Sequence, residues 1–247
     1  RDVSFRYPGT ERWVLKNVSF RIEPGQTVAV VGGTASGKST LVRLIPRLYD
    51  VGAGSVEVDG VDVRQMRLEE LRDSVAMVPQ EPFLFSMSLR QNLTMGDREV
   101  TESDQLDRAL DIAQLRFTLG VLPDGLDTSL GERGINLSGG QKQRATIARA
   151  LYRETPILVL DDSLSAVDTV TEEAILAGLK EFMADRTAIV VSHRVTAVAG
   201  ADVILVLEDG ELVETGTHAE LLARAGVYAR LLERQLLEEE LEREEAV

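Results

Sequence analysis

A chain of 247 residues with 44% hydrophobic content can bury the core of one α/β domain. It contains no apolar run of the roughly 18 residues that a membrane-spanning helix needs. Its formal net charge of −14 argues against broad binding to nucleic acid or to an anionic membrane surface, and the absence of cysteine excludes disulfides and thiolate metal sites.

The N-terminus, Arg1 to Tyr7, opens directly on strand-like alternation, without a signal-peptide core or an initiating Met, as in a piece of a longer chain. Val14, Leu15, Val18, Phe20 and Ile22 continue the apolar alternation up to a Pro24-Gly25 turn. Thr27 to Val31 is a short β-branched run of the kind that forms a buried parallel strand. A Gly-containing loop follows, then a helix expected from Lys38 to about Leu48. Residues 54–63 read as a hairpin turning at Asp59-Gly60, and Val75 to Val78 as another strand. Between 86 and 152 strand runs give way to helical spacing, as in Leu106, Leu110 and Ala113. Strands return at Ile157–Leu160, Thr187–Val191 and Val203–Leu207, separated by helical segments, which implies a parallel sheet covered by helices. From Gly226 the chain reads as one charged amphipathic helix. Glu233, Glu238, Glu239, Glu240, Glu242, Glu244 and Glu245 crowd its polar side.

Gly32-Gly33-Thr34-Ala35-Ser36-Gly37-Lys38-Ser39, followed by Thr40, fits a phosphate-binding loop between a strand and a helix. Glycines let backbone N–H groups turn toward a β-phosphate, and the following helix offers its positive dipole end. Lys38 reaches the β- and γ-phosphate oxygens, and the Ser39 hydroxyl is placed to ligate Mg²⁺. Downstream, the strand Ile157–Leu160 ends in Asp161 and Asp162. Strand ends of this kind line the ligand crevice of open α/β sheets, so Asp161 is a second candidate Mg²⁺ group. Read alone, such a pair also suits a helix cap or a turn.

Leu137-Ser138-Gly139-Gly140-Gln141, lying between that loop and that strand end, resembles the signature of the ATP-binding cassette (ABC) ATPases. The resemblance covers essentially the whole chain. It implies an α/β fold of the P-loop NTPase (RecA-like) type, with a parallel sheet core, an N-terminal antiparallel β-subdomain and an inserted helical lobe. On it, 1–247 is one ABC ATPase domain: 1–85 and 153–225 form the core, 86–152 the helical lobe, and 226–247 a C-terminal acidic helix. The cofactors implied are ATP and Mg²⁺. Tyr7 resembles the aromatic residue that stacks on adenine, and Val14 the apolar contact on the nucleoside's other side. Gln80 resembles the glutamine that touches Mg²⁺ and the attacking water. His193 resembles the switch histidine at the γ-phosphate. Ser165 to Asp168 resemble the loop that crosses the dimer interface. Ser138, Gly139, Gly140 and Gln141 are implied to close on nucleotide held by an opposite subunit, so that two cassettes sandwich two ATP molecules.

Pro79 to Phe85 and Gly131 to Gly134 resemble the exporter branch, in which these segments receive coupling helices of transmembrane domains. Glu132 is implied to be part of the loop that senses the partner's transmembrane helices. The implied place of action is the cytoplasmic face of the cell membrane, with no nucleic acid partner.

One position departs from the family pattern: Asp162 stands where most active members carry Glu. Asp is one methylene shorter, which draws its carboxylate back by about 1 Å from the attacking water. The stretch Asp161 to Asp168 resembles the degenerate half of heterodimeric exporters. This implies slow hydrolysis at the chain's own site and a non-identical partner with Glu at the catalytic position. A fully active homodimeric cassette is the alternative. A non-transport ABC protein acting on DNA or ribosomes is a further one, disfavoured by the acidic balance and by the short spacing of about 100 residues from Lys38 to Ser138. A metabolic P-loop kinase has no need of the Leu137–Gln141 signature. In the tail, Leu231, Leu232, Gln235, Leu236 and Leu241 form a stripe that suits pairing with a partner's tail; a solvated acidic tail is the plainer reading.

Overall fold

The computed structural model describes residues 1–95, 104–131, 137–195 and 198–245, with side chains except at 239 and 242–245. In chain order the strands are β1 (Val3–Phe5), β2 (Leu15–Val18), β3 (Thr27–Gly32), β4 (Glu57–Val58), β5 (Val61–Asp62), β6 (Val75–Val78), β7 (Ile157–Asp161), β8 (Thr187–Val191), β9 (Val203–Glu208) and β10 (Glu211–Gly216). The helices are α1 (Lys38–Arg43), α2 (Leu68–Ser74), α3 (Leu89–Leu93), α4 (Asp104–Ile112), α5 (Arg116–Val121), α6 (Gly139–Tyr152), α7 (Thr169–Met183), α8 (His218–Arg224) and α9 (Val227–Glu245). They gather in two compact units: Arg1–Val75 with Thr187–Val247, and Ala76–Arg186.

In the first unit β3 lies between β8 and β9 and is parallel to both, with Val30 opposite Val191 and Gly32 opposite Leu207. Val28 to Val31 are buried on both faces, which explains why this strand carries an unbroken apolar run rather than an alternating one. Strand β10 closes the edge, antiparallel to β9. It goes beyond the expected elements, because its half-buried positions are filled by residues such as Glu214 that carry no apolar alternation. The turn before it, Asp209-Gly210, has both residues at positive φ (49° and 83°), the conformation of a tight two-residue hairpin. The Asp59-Gly60 turn between β4 and β5 has the same form, as its sequence predicts. β1 and β2 pair antiparallel as a separate N-terminal ribbon.

Helix α1 is shorter than expected. It stops at Arg43 rather than near Leu48, because Pro46 cannot donate to the next turn and biases the residue before it away from the helical region.

Helix α9 runs to Glu245, as the sequence reading expects, but its apolar stripe divides. Tyr228 is fully buried against a cluster of Ala29, Val31, Ile204, Val206 and Leu221, and Leu231 and Leu232 pack on the same cluster. Gln235 accepts a hydrogen bond from the Val195 amide at 2.6 Å. The Glu214 carboxylate accepts from the amides of Val227 and Tyr228, capping the helix's first turn. Leu236 and Leu241, at 45% and 61% exposure, are the part of the stripe that this chain's own core leaves uncovered.

In the second unit β6 and β7 are neighbours in the sheet, and the helices between them form the expected helical segment. Leu106, Leu110 and Ala113 are buried, as their spacing predicts. Arg149 of α6 donates to the Asn92 carbonyl and side-chain oxygens at 2.7 and 2.9 Å and to the Phe83 carbonyl at 2.9 Å. Burial lowers its guanidinium to about 10, still charged at neutral pH.

Candidate nucleotide site

The phosphate loop grows from the end of β3, and its conformation is written in backbone angles. Gly32 has φ 152°, and a Cβ there would lie 2.2 Å from the Leu207 carbonyl oxygen, so only glycine fits. Gly37, at φ 103°, precedes α1, and Ala35 is also left-handed at φ 61°. The Lys38 ammonium folds back over the loop and donates to the Gly32 and Gly33 carbonyls at 2.9 and 2.8 Å. Ser36 Oγ is buried without a hydrogen-bond partner among the described residues, a polar group that a phosphate oxygen would satisfy.

Beside the loop lies a cleft of about 330 Å³. Tyr7, Val14 and the segment Ala35, Ser36, Gly37, Lys38, Ser39 and Thr40 line it, all expected site residues. Gly32, Gly33 and Thr34 belong to the same loop but not to this wall. The Tyr7 hydroxyl and Thr40 Oγ1 are hydrogen-bonded at 2.9 Å, and the Tyr7 ring packs edge-on against Phe5 and Tyr49. These contacts hold an aromatic face next to the loop.

Four wall residues go beyond the expected set: Arg12, Trp13, Asp209 and Gly210. Trp13, the single tryptophan of the chain, lines the cleft beside Val14, with Arg6 stacked 5.2 Å from its ring centroid. Its signal in the sequence was a large aromatic next to a residue already expected there. Asp209 and Gly210 come from the β9–β10 turn. Gly210 donates to the Ser36 carbonyl and accepts from the Lys16 amide, tying that turn to the phosphate loop and to β2. An Asp-Gly pair after an apolar run was the available signal.

His193 follows β8 in the same unit and is exposed. The Ser192 hydroxyl closes the turn around it, accepting from the Arg194 amide at 2.9 Å and donating to the Arg194 carbonyl at 3.1 Å.

The remaining expected residues lie in the second unit. β7 ends at Asp161, which is fully buried, and Asp162 follows at φ 46°. Gln80 Nε2 donates to Asp162 Oδ2 at 3.5 Å, a long contact. Ser138 caps α6 in a reciprocal box: its hydroxyl accepts from the Gln141 amide, and the Gln141 side chain accepts from the Ser138 amide. Gly140 lies against the loop at 165–168 so closely that a Cβ there would be 2.8 Å from the Ala166 carbonyl oxygen. Ser165 Oγ donates to the Asp162 carbonyl at 3.2 Å. Asp168 caps α7, accepting from the Thr171 amide at 3.0 Å, and that bond holds its carboxyl below the usual carboxylate range. The structure thus brings the signature, the loop at 165–168, Gln80 and the Asp161-Asp162 pair together within one unit. Glu132, with Arg133 and Gly134, lies outside the described residues.

Residues 15–165 match the ABC transporter family, a span that holds the phosphate loop, the signature and the acidic strand end together. The chain belongs to the ABC transporter family. Among its relatives, the ATP-dependent lipid A-core flippase of Pseudomonas aeruginosa is 47% identical over 94% of this cassette and 38% of the relative. The protein of the same name from Salmonella typhimurium is 46% identical over 94% of the cassette and 40% of the relative. A solved structure of a bacterial Atm1-family ABC exporter with ATP bound superposes with TM-score 0.90 at 40% identity. That match covers 95% of the cassette and 41% of the solved chain. The cassette therefore spans about two fifths of the length of these relatives. Among its described residues no helix is long and apolar enough to cross a membrane.

Proposed function

We propose that this cassette is the ATPase motor of an ABC exporter half-transporter, working at the cytoplasmic face of the cell membrane. It binds MgATP and closes on a second cassette so that two ATP molecules are sandwiched between them. Support comes from relatives named as ATP-dependent flippases and from the likeness to an exporter solved with ATP bound. In this reading Gly32 to Thr40 hold the phosphates, Tyr7 and Val14 the nucleoside, and Ser138 to Gln141 complete the partner's site. Pro79 to Phe85 meet a coupling helix; Phe83 and Phe85, partly exposed and stacked edge-on at 4.9 Å, supply an apolar face for it. Ser39, Asp161 and Gln80 offer oxygen donors, the set a hard cation such as Mg²⁺ takes. When bound, Mg²⁺ neutralises charge on the phosphates.

The observation that carries the finer part is Asp162. Its main chain is fixed by the Ser165 hydroxyl and by the end of β7, so chain slippage cannot make up the missing methylene. A general base drawn back by about 1 Å can lose on the order of a hundredfold in rate. The cassette thus holds ATP and turns it over slowly, while its signature serves a non-identical partner that carries Glu. Asp162→Glu in the assembled transporter is expected to raise turnover at the Lys38 site by about tenfold or more. Unchanged turnover at that site overturns the slow-site reading. The retained His193 favours a second reading, a homodimer active at both sites. Native mass measurement of the purified assembly separates one kind of subunit from two.

A further inference from the structure

Gln143 lies two residues beyond the signature, on α6, and is 2% exposed. Its side-chain amide is used at both ends. Oε1 accepts from the Ala166 amide at 2.9 Å, and Nε2 donates to Ser165 Oγ at 3.2 Å. The Ser165 hydroxyl donates in turn to the Asp162 carbonyl at 3.2 Å. One turn earlier on the same helix, Gly140 lets the Ala166 carbonyl approach to a distance that no side chain would tolerate. A buried amide satisfied in this way fixes its partners, because leaving either end unpaired costs the desolvation of that group.

We infer that Gln143 is a positioning residue that locks the interface loop, and through Ser165 the backbone of Asp162, to the signature helix. On this geometry the helix that receives the partner's nucleotide and the strand end that serves the chain's own nucleotide are joined by one side chain. A shift of α6 is carried to Asp162 through two hydrogen bonds rather than through the general packing of the unit. The catalytic consequence rests on the ATPase reading above; the structural link does not.

The test uses the complete transporter polypeptide in its native assembly, with Gln143→Met, which keeps the volume and removes both hydrogen bonds. Amide exchange at Ala166 is expected to speed up at least tenfold, while the amides of α6 keep their protection. ATP turnover at the site built on Lys38 is expected to fall about tenfold, with KM for ATP there within about twofold of wild type. Adding Ser165→Ala to Gln143→Met is expected to cost nothing further, since both act on one relay. Gln143→Glu keeps the acceptor for Ala166 and changes only the arm to Ser165. Its Ala166 amide is expected to stay protected while turnover falls, and it carries the test if the Met variant does not fold. Unchanged Ala166 exchange in Gln143→Met, or additive losses in the double variant, overturns the proposal. If wild type shows no ATP turnover at all, the ATPase reading fails, and the Ala166 exchange still decides whether Gln143 holds the loop.

Discussion

The phosphate loop and the signature region reach order by different means. The loop's shape is imposed by the backbone: left-handed Gly32, Ala35 and Gly37, with Lys38 bonded to main-chain oxygens. The signature region is held by side chains that join distant segments: Ser138 with Gln141, Gln143 with Ser165 and Ala166, and Ser165 with Asp162. A backbone-imposed site breaks when one Cβ is added. A side-chain-imposed site loosens in steps and keeps its fold while losing its alignment.

The largest effect is therefore expected at Gly32. Gly32→Ala puts a methyl group 2.2 Å from the Leu207 carbonyl. A destabilisation of about 3 kcal/mol or more, with loss of nucleotide binding, is expected from overpacking and backbone strain together. Thermal melting and binding of a fluorescent ATP analogue read both; a stable variant that binds ATP would erase the contrast. Gly140→Ala should be gentler. Its Cβ would lie 2.8 Å from the Ala166 carbonyl oxygen, so the 165–168 loop must shift, and turnover should drop about tenfold while ATP affinity holds. An equal loss of affinity would mean that the two regions are not separable in this way. Tyr7→Phe removes the bond to Thr40 but keeps the ring packing, and a rise in KM of about twofold to threefold is expected, with little change in kcat.

The smallest effect concerns Asp168. The Thr171 amide depresses its pKa in the folded state, so its charge adds stability above the unfolded carboxylate pKa of about 3.9, and that contribution is lost as pH falls through the folded value. Asp168→Asn still caps α7, so wild type should melt slightly above it at neutral pH, with the gap closing on acidification. A gap that widens at low pH would contradict the assignment.

The sequence made the loop legible because it is local: one strand, one glycine pattern, one helix start. The central strands were legible for the same reason, since burial on both faces leaves a continuous apolar run. Strand β10 was hidden because Glu214 uses its carboxylate to cap α9 rather than facing water as an ordinary edge residue. The bond between Gln143 and Ala166 crosses 23 residues through one side chain and leaves no period to detect. The tail showed its apolar stripe, but not that Leu231 and Leu232 pack on this chain's own core; only packing reveals which leucines that core leaves uncovered.

Asp162 sits at φ 46°, a region that short polar residues such as Asp and Asn enter more readily than longer ones. The shorter carboxylate found at this position is thus also one that the backbone accommodates with little strain. Restoring glutamate there would exchange conformational comfort for reach, at a cost of order 1 kcal/mol in folding stability. Under the slow-site reading proposed above, slow turnover would be the relaxed state of the chain rather than damage to it.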